Sequence, residues 1–273
     1  MSLADKLVSS FLAFELDINI QSPVHVKRTK ALKEFEKLGF PTKKNEAWKY
    51  TSLKTLLKED YTIFSKKKNV LDFKNIKNYF LDNTESYKIV FVDGFFDPFL
   101  SQTSHDGVDI CILSAALTKP GYSKIVSKYF DSSINTKDSL SLINTAFAKE
   151  GVYVHVPKNK ILDKPIEVLH FATGNEAALM LQPRNLIVVE KNAQVEIIET
   201  HQSLTENPIF TNSVTEIFVG QNAHLDYYKI QNDSLNSSLI DNTYISQDQK
   251  SVAKVHTFSF GGKLTRNNLN YFQ

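Results

Sequence analysis

Two stretches of the chain are near copies: LIVVEK and QVEIIE flank Asn192-Ala193, and EIFVGQ and HLDYYK flank Asn222-Ala223, an offset of 30 residues. A comparable turn, Lys250-Ser251, follows about 28 residues later. A strand–turn–strand unit of this period is too long for a simple hairpin and contains no helical stretch. Such a unit cannot bury its apolar side alone. Stacked turn upon turn it forms one continuous core, so the repeat points to a β-helix or solenoid. An antiparallel sandwich satisfies the same alternation of apolar and polar residues and stays open on periodicity alone.

The repeat belongs to a strand-rich second part, residues 151–273. GVYVHVPKN, KPIEVLHF, NLIVVEKNAQVEIIETH, NSVTEIFVGQNAHLDYYKIQ and NTYISQDQKSVAKVHTFSF read as short strands joined by polar turns. Residues 1–150 follow a helical period instead. Leu3, Leu7 and Phe11 fall four apart on one helix face. Ser22-Pro23 reads as an N-cap followed by proline at the first helical position. Ala31, Phe35 and Leu38 share the face of the helix it opens, with Gly39 as C-cap and Pro41 as a stop. Thr42 is placed to cap a short helix carrying Trp48. Asp138 caps a last helix that buries Leu142, Ala146 and Phe147 and ends at Gly151. Between these helices, Val90 and Val92, the turn Asp93-Gly94, and Phe95-Phe96 predict a hairpin. GVDICIL predicts one further strand, with Cys111 as a small core hydrophobe.

Charge is unevenly spread. The net +2 of the chain combines +8 between Lys27 and Lys68 with −6 elsewhere, a basic segment suited to acidic partners of any kind. Cys111 is the one cysteine, which excludes an intrachain disulfide and a paired-thiol metal site. The N-terminus has no basic leader before its apolar residues, and no run reaches the ~18 apolar residues of a membrane span. These features fit a cytoplasmic protein.

No catalytic, cofactor-binding or metal-binding residue stands out. The histidines, His25, His105, His155, His170, His201, His224 and His256, show no HExxH-type spacing. His155, His170, His224 and His256 fall in or beside strands, where a hydrogen-bonded, partly buried imidazole is the ordinary outcome. A solenoid can nevertheless stack residues that are far apart in sequence. Glu196 and Glu199 lie three apart on a strand and so face opposite sides, unsuited to converge as an acid/base pair. Gly261-Gly262 lacks the pattern of a phosphate loop and marks a turn or bulge.

The segment FPTKKNEAWKYTSL sets Trp48 and Tyr50 among lysines, which by composition suits either a packed aromatic element or a nucleic-acid surface. It resembles the N-terminal signature of the SufD family. The likeness continues in order through LINTAFAKEGVYVHVPKN, KPIEVLHF, PRNLIVVEKNAQVEIIE and FSFGGKLTRNNL. The resemblance implies a right-handed parallel β-helix preceded by a mainly helical region, with Phe40, Pro41, Trp48 and Tyr50 as a packing element. It implies a non-catalytic scaffold subunit of an iron–sulfur cluster assembly complex, with a SufB-like paralogue and a SufC-like ABC ATPase that uses ATP.

Members of that family continue beyond the GGKLTRNNL block. The family's cluster-forming cysteine and histidine and its ATPase-binding helices belong to that later part, so none is carried onto a residue here. On this reading the chain is an N-terminal fragment that binds no cluster alone, since one thiol cannot supply the several ligands a cluster takes. An open coil end exposes strand edges. The region of Phe258, Phe260 and Leu264 is then expected to fray or to self-associate with a second copy. Two other functions compete: a carbohydrate-acting β-helix enzyme, and a nucleic-acid-binding module centred on Lys43 to Lys54.

Overall fold

Asn159, Asn192, Asn222 and Lys250 occupy the left-handed backbone region, with φ of 63°, 57°, 57° and 58°. Asparagine tolerates this conformation because its short amide bonds locally. Each such residue reverses the chain at the same place in successive coils. The computed structural model describes residues 1–22, 24–65, 69–82, 84–103, 107–134 and 138–273. In it the second part of the chain is a parallel β-solenoid of about four turns.

The N-terminal part supplies helices α1 (Leu3–Glu15) and α2 (His25–Leu38), 3-10 turns at Glu46–Trp48 and Leu56–Lys58, the short α3 (Phe73–Ile76) and a third 3-10 turn at Lys77–Tyr79. Strands β1 (Tyr87–Val92), β2 (Phe95–Phe96) and β3 (Asp109–Ile112) follow, then α4 (Leu113–Thr118), α5 (Pro120–Tyr129) and α6 (Ser139–Phe147). The solenoid comprises β4 (Val152–Val156), β5 (Ile166–Ala172), β6 (Leu179–Leu181), β7 (Arg184–Val189), β8 (Gln194–Ser203) and β9 (Ile209–Val219). It continues through β10 (His224–Asp233), β11 (Ser238–Gln247), β12 (Val252–Gly261) and β13 (Leu264–Phe272).

The chain alternates between two sheets, ordered β12-β10-β8-β5-β1-β2 and β13-β11-β9-β7-β4-β3. Successive coils pair in parallel and in constant register, so that Ile166 lies beside Ile197 and Ile197 beside Tyr227. The N-terminal part enters both sheets, β1 parallel to β5 and β3 antiparallel to β4. Between the sheets, Ile166, Ile197 and Leu225 meet Val154, Ile187, Ile217 and Ile245 in one buried apolar cluster. At the corner the asparagines bond up the stack, Asn192 Nδ2 donating to Asn159 Oδ1 at 2.8 Å and Asn222 Nδ2 to Asn192 Oδ1 at 3.1 Å.

The helices follow the expected periods, with some displaced ends. Leu3, Leu7, Phe11 and Phe14 are the buried face of α1, which opens on a Ser2–Asp5 capping box. Helix α2 starts at His25 after Val24, without a side-chain cap; Pro23 lies outside the described residues. Ala31 and Phe35 are buried as expected, but Leu38 is exposed and Arg28 takes a buried place instead. Arg28 reaches Ala148 O through Nε (3.2 Å) and Nη2 (2.6 Å). Burial and the neighbouring Arg184 charge push its guanidinium down to about 10. Asp138 caps α6 by accepting from Leu140 N, and every residue of α6 is buried. This helix stops at Phe147, short of Gly151. There the chain passes so close to its neighbour that a Cβ on Gly151 would lie 1.9 Å from the Arg184 carbonyl oxygen.

Trp48 ends a 3-10 turn flanked by Asn45, so Thr42 is not its cap. The indole is 6% exposed and lies 4.2 Å beneath the Arg266 guanidinium, which also donates to Ala47 O (2.7 Å) and Thr51 Oγ1 (3.2 Å). Phe40 meets Phe35 edge to face at 5.1 Å. Tyr50, expected in the same packed element, is 90% exposed, because the turn directs Trp48 and Leu53 inward and leaves it on the outer side. Strands β12 and β13 are not frayed: parallel pairing to β10 and β11 holds each along its length. Phe258 and Phe260 are nevertheless 47% and 56% exposed, while Leu264 packs against the helical core.

An ion pair between two solenoid strands anchors the helical part through the bonds its members make to it. Arg184 Nη2 donates to Glu216 Oε2 at 2.5 Å, with both side chains buried. Glu216 also accepts backbone N–H groups of Asp131 (2.6 Å), Ser132 (3.0 Å) and Ser133 (3.1 Å), in the connection leading from α5 towards α6. Removing one partner strands a buried charge. Arg184→Met is expected to cost about 3–5 kcal/mol in denaturant unfolding. Asn222→Ala, which loses the left-handed preference and a ladder bond, is expected to cost about 1–2 kcal/mol. Lys250→Asn, which extends the ladder, is expected to gain about 0.5–1 kcal/mol in the same measurement.

Candidate functional site

Constant register has a second result inside the coil. It places Phe91 of β1, His170 of β5 and His201 of β8 directly above one another. Their rings stack, Phe91 on His170 at 5.0 Å and His170 on His201 at 4.6 Å, with interplanar angles of 11° and 8°. Glu199 lies two residues before His201 and so shares its inward face. Glu196 is exposed on the opposite side, as its spacing requires.

Beyond the apolar cluster the interior is polar. Asn185 of β7 donates to Glu199 Oε1 at 2.7 Å and to Thr215 Oγ1 at 3.2 Å, and its own Oδ1 accepts from Val152 N. The Tyr227 hydroxyl donates to Glu199 Oε2. In the coil beyond, Lys229 pairs with Asp241 and donates to Thr243 Oγ1 at 2.6 Å. The Glu199 carboxylate is thus held rigidly from two sides. Among the described residues no lysine or arginine lies within ion-pairing distance of it.

The nearest groups able to carry a positive charge are the two imidazoles, Nε2 of His170 at 3.2 Å and Nε2 of His201 at 3.4 Å from Oε1. Neither ring nitrogen achieves hydrogen-bond alignment on the carboxylate, so both remain unsatisfied and buried. Burial pushes His170 down. His201 goes up: burial opposes its charge, but the adjacent Glu199 carboxylate, as acceptor and as charge, with Asp241 and Asp233 beyond it, outweighs that. Burial would raise Glu199, but the two imidazoles together hold it well below the usual carboxylate range. Burial and the Glu199 charge raise the Tyr227 phenol, which therefore stays a donor. One ligand atom from each of His170, Glu199 and His201 lies within 4.8 Å of the others, a spacing that suits a cation.

A pocket of about 120 Å³ reaches this cluster from the side of the helical part. His170, His201 and Phe91 line it, together with the apolar Phe14, Phe64 and Phe147. Lys149, Glu150, Asp93 and Asp17 also line it.

The other histidines behave separately. His155 is clamped between Asp109 Oδ2 (2.9 Å) and Glu190 Oε1 (3.1 Å), a hydrogen-bonded imidazole as expected. His25 meets Glu15 at 3.1 Å, His256 stacks on Tyr228 at 5.0 Å, and His224 is exposed. His105 lies outside the described residues. Cys111 is half-buried beside Tyr153 and Leu186 rather than enclosed, and burial pushes its thiol up to about 11. Local sequence spacing could not find the His170–Glu199–His201 cluster. The usable signal was the coil period, which brings His170 and His201 to equivalent positions.

The family described as SufBD protein N-terminal region matches residues 5–168, and the SUF system FeS cluster assembly SufBD core domain matches residues 170–273. An iron-sulfur cluster assembly SufBD family protein of Synechocystis sp. is 31% identical over 262 residues, covering 90% of this chain and 56% of that protein. Iron-sulfur cluster assembly protein SufD of Escherichia coli is 25% identical over 245 residues, covering 87% of this chain and 53% of its own. Protein ABCI7, chloroplastic, of Arabidopsis thaliana is 29% identical over 150 residues, 53% of this chain and 32% of that protein. The chain spans about half the length of the first two of these relatives. With the N-terminal-region and core-domain models matched in order along its length, the chain belongs to the SufBD family of iron–sulfur cluster assembly proteins.

Proposed function

We propose that the chain is a non-catalytic scaffold subunit for iron–sulfur cluster assembly, acting with a SufB-like paralogue and a SufC-like ABC ATPase. The observation that carries this reading is the ordered family match, which runs from the helical part through the last solenoid strands. Physical features agree with a scaffold. Strands β12 and β13 each present one unpaired parallel edge, and the exposed Phe258, Phe260, Tyr271 and Phe272 lie on them. Such edges suit continuation of the sheets by further chain or by a partner. Glu196 and Glu199 point away from each other, so they do not form the converging carboxylate pair of a glycoside-cleaving site. No helix among the described residues is long and apolar enough to cross a membrane.

The cluster is cargo of the complex on this reading, and Cys111 is not one of its ligands. A thiol raised to about 11 is almost wholly protonated at neutral pH and therefore a poor nucleophile and ligand. Cys111 is expected to react with iodoacetamide at pH 7.5 at least about 10-fold more slowly than a free cysteine. Cys111→Ala is expected to leave partner capture unchanged. Affinity purification from source cells tests the scaffold itself. Recovery of an ABC ATPase and a SufBD paralogue with a version extended past Gln273 supports it. Absence of both, from that version and from this chain, counts against it.

A further inference from the structure

Glu199 poses a charge problem that the scaffold reading does not address. It is a fully enclosed carboxylate whose lone pairs are directed by Asn185 and Tyr227, with no lysine or arginine counter-charge among the described residues. Of the other buried carboxylates, Asp241 is matched by Lys229, Glu216 by Arg184 and Glu167 by Lys88, while Asp93 accepts from Thr173. A buried carboxylate that keeps its charge is stabilised by a cation beside it, either a protonated imidazole or a bound ion. Two buried ring nitrogens, on His170 and His201, face it without an aligned partner.

We propose that His170 Nε2, His201 Nε2 and a carboxylate oxygen of Glu199 form a mononuclear site for a divalent first-row transition-metal ion. Two nitrogens and one oxygen suit zinc, cobalt(II) or iron(II), whereas calcium and magnesium favour all-oxygen sites. Three protein ligands leave a coordination position open. The two imidazoles also line the pocket, the side from which water or a small anion would approach that position. Asn185 and Tyr227 orient the carboxylate from outside, the arrangement that tunes protein metal sites. The rings now lie nearly parallel at 4.6 Å, so the ion draws them out of that stack to aim both lone pairs at one point. Phe91 follows the His170 ring on its other face. The site depends on this chain's interior and needs no partner, so it stands or falls apart from the scaffold reading.

The test is titration of the chelator-treated chain with cobalt(II), read by visible absorption, and with zinc by calorimetry. The expected result is one saturable ion per chain with ligand-field bands of low coordination number. His170→Gln, His201→Gln and Glu199→Gln are each expected to weaken binding at least about 10-fold. His224→Ala, on the surface, is expected to leave it unchanged. Should the buried variants fail to fold, anomalous scattering from wild-type crystals soaked in cobalt(II) locates the ion directly. Density between the three side chains supports the site. No saturable binding, wild-type affinity in all three variants, or a cobalt ion elsewhere overturns it.

Discussion

Constant parallel register between coils is the constraint from which the other features of this protein follow. One left-handed residue per coil reverses the chain at the same height, so residues separated by a coil lie side by side. Near the asparagine corner that rule stacks Ile on Ile and Val on Val, and the result is a dry core. Farther along the same strands it stacks Phe91, His170 and His201 and leaves Glu199 enclosed beside them. A shift of one residue in a strand would send each of these side chains to the outer face.

The helical part is joined to the solenoid through shared secondary structure and buried charge. It contributes β1 and β3 to the two sheets, and its turn at Asp131–Ser133 donates to Glu216. Arg184 reaches back from β7 to Asn144 and Thr145 of α6 and lies over the Phe130 ring. Arg266 of β13 does the same for the Trp48 turn. These polar bonds fix the orientation of the helical part, while Phe11, Phe14 and Phe147, buried in one cluster with Met180, Phe210 and Ile240, and Tyr61 against Phe210 supply the apolar contact.

Much of this was legible in the sequence, for identifiable reasons. The 30-residue echo of Asn192 and Asn222 pointed to coils because the left-handed turn demands particular residues, and asparagine is one of them. Asp93-Gly94 predicted its hairpin for the same reason. Boundaries were less legible: α2 and α6 begin or stop where tertiary contacts with Arg28 and Arg184 decide, and no local signal records those contacts. The fate of Tyr50 depended on which side of a single 3-10 turn faces the solenoid. The buried cluster was hidden most completely, because His170 and Glu199 meet only after the coil has closed.

The central claim is therefore that residues one coil apart, His170 and Glu199, interact inside the solenoid. A double-mutant cycle in metal-free protein, pairing His170→Phe with Glu199→Gln and reading denaturant unfolding, addresses it most directly. A coupling energy of about 0.5–3 kcal/mol is the expected result for side chains in contact. Additivity within about 0.3–0.5 kcal/mol would contradict the arrangement, since independent effects are the mark of sites that do not touch.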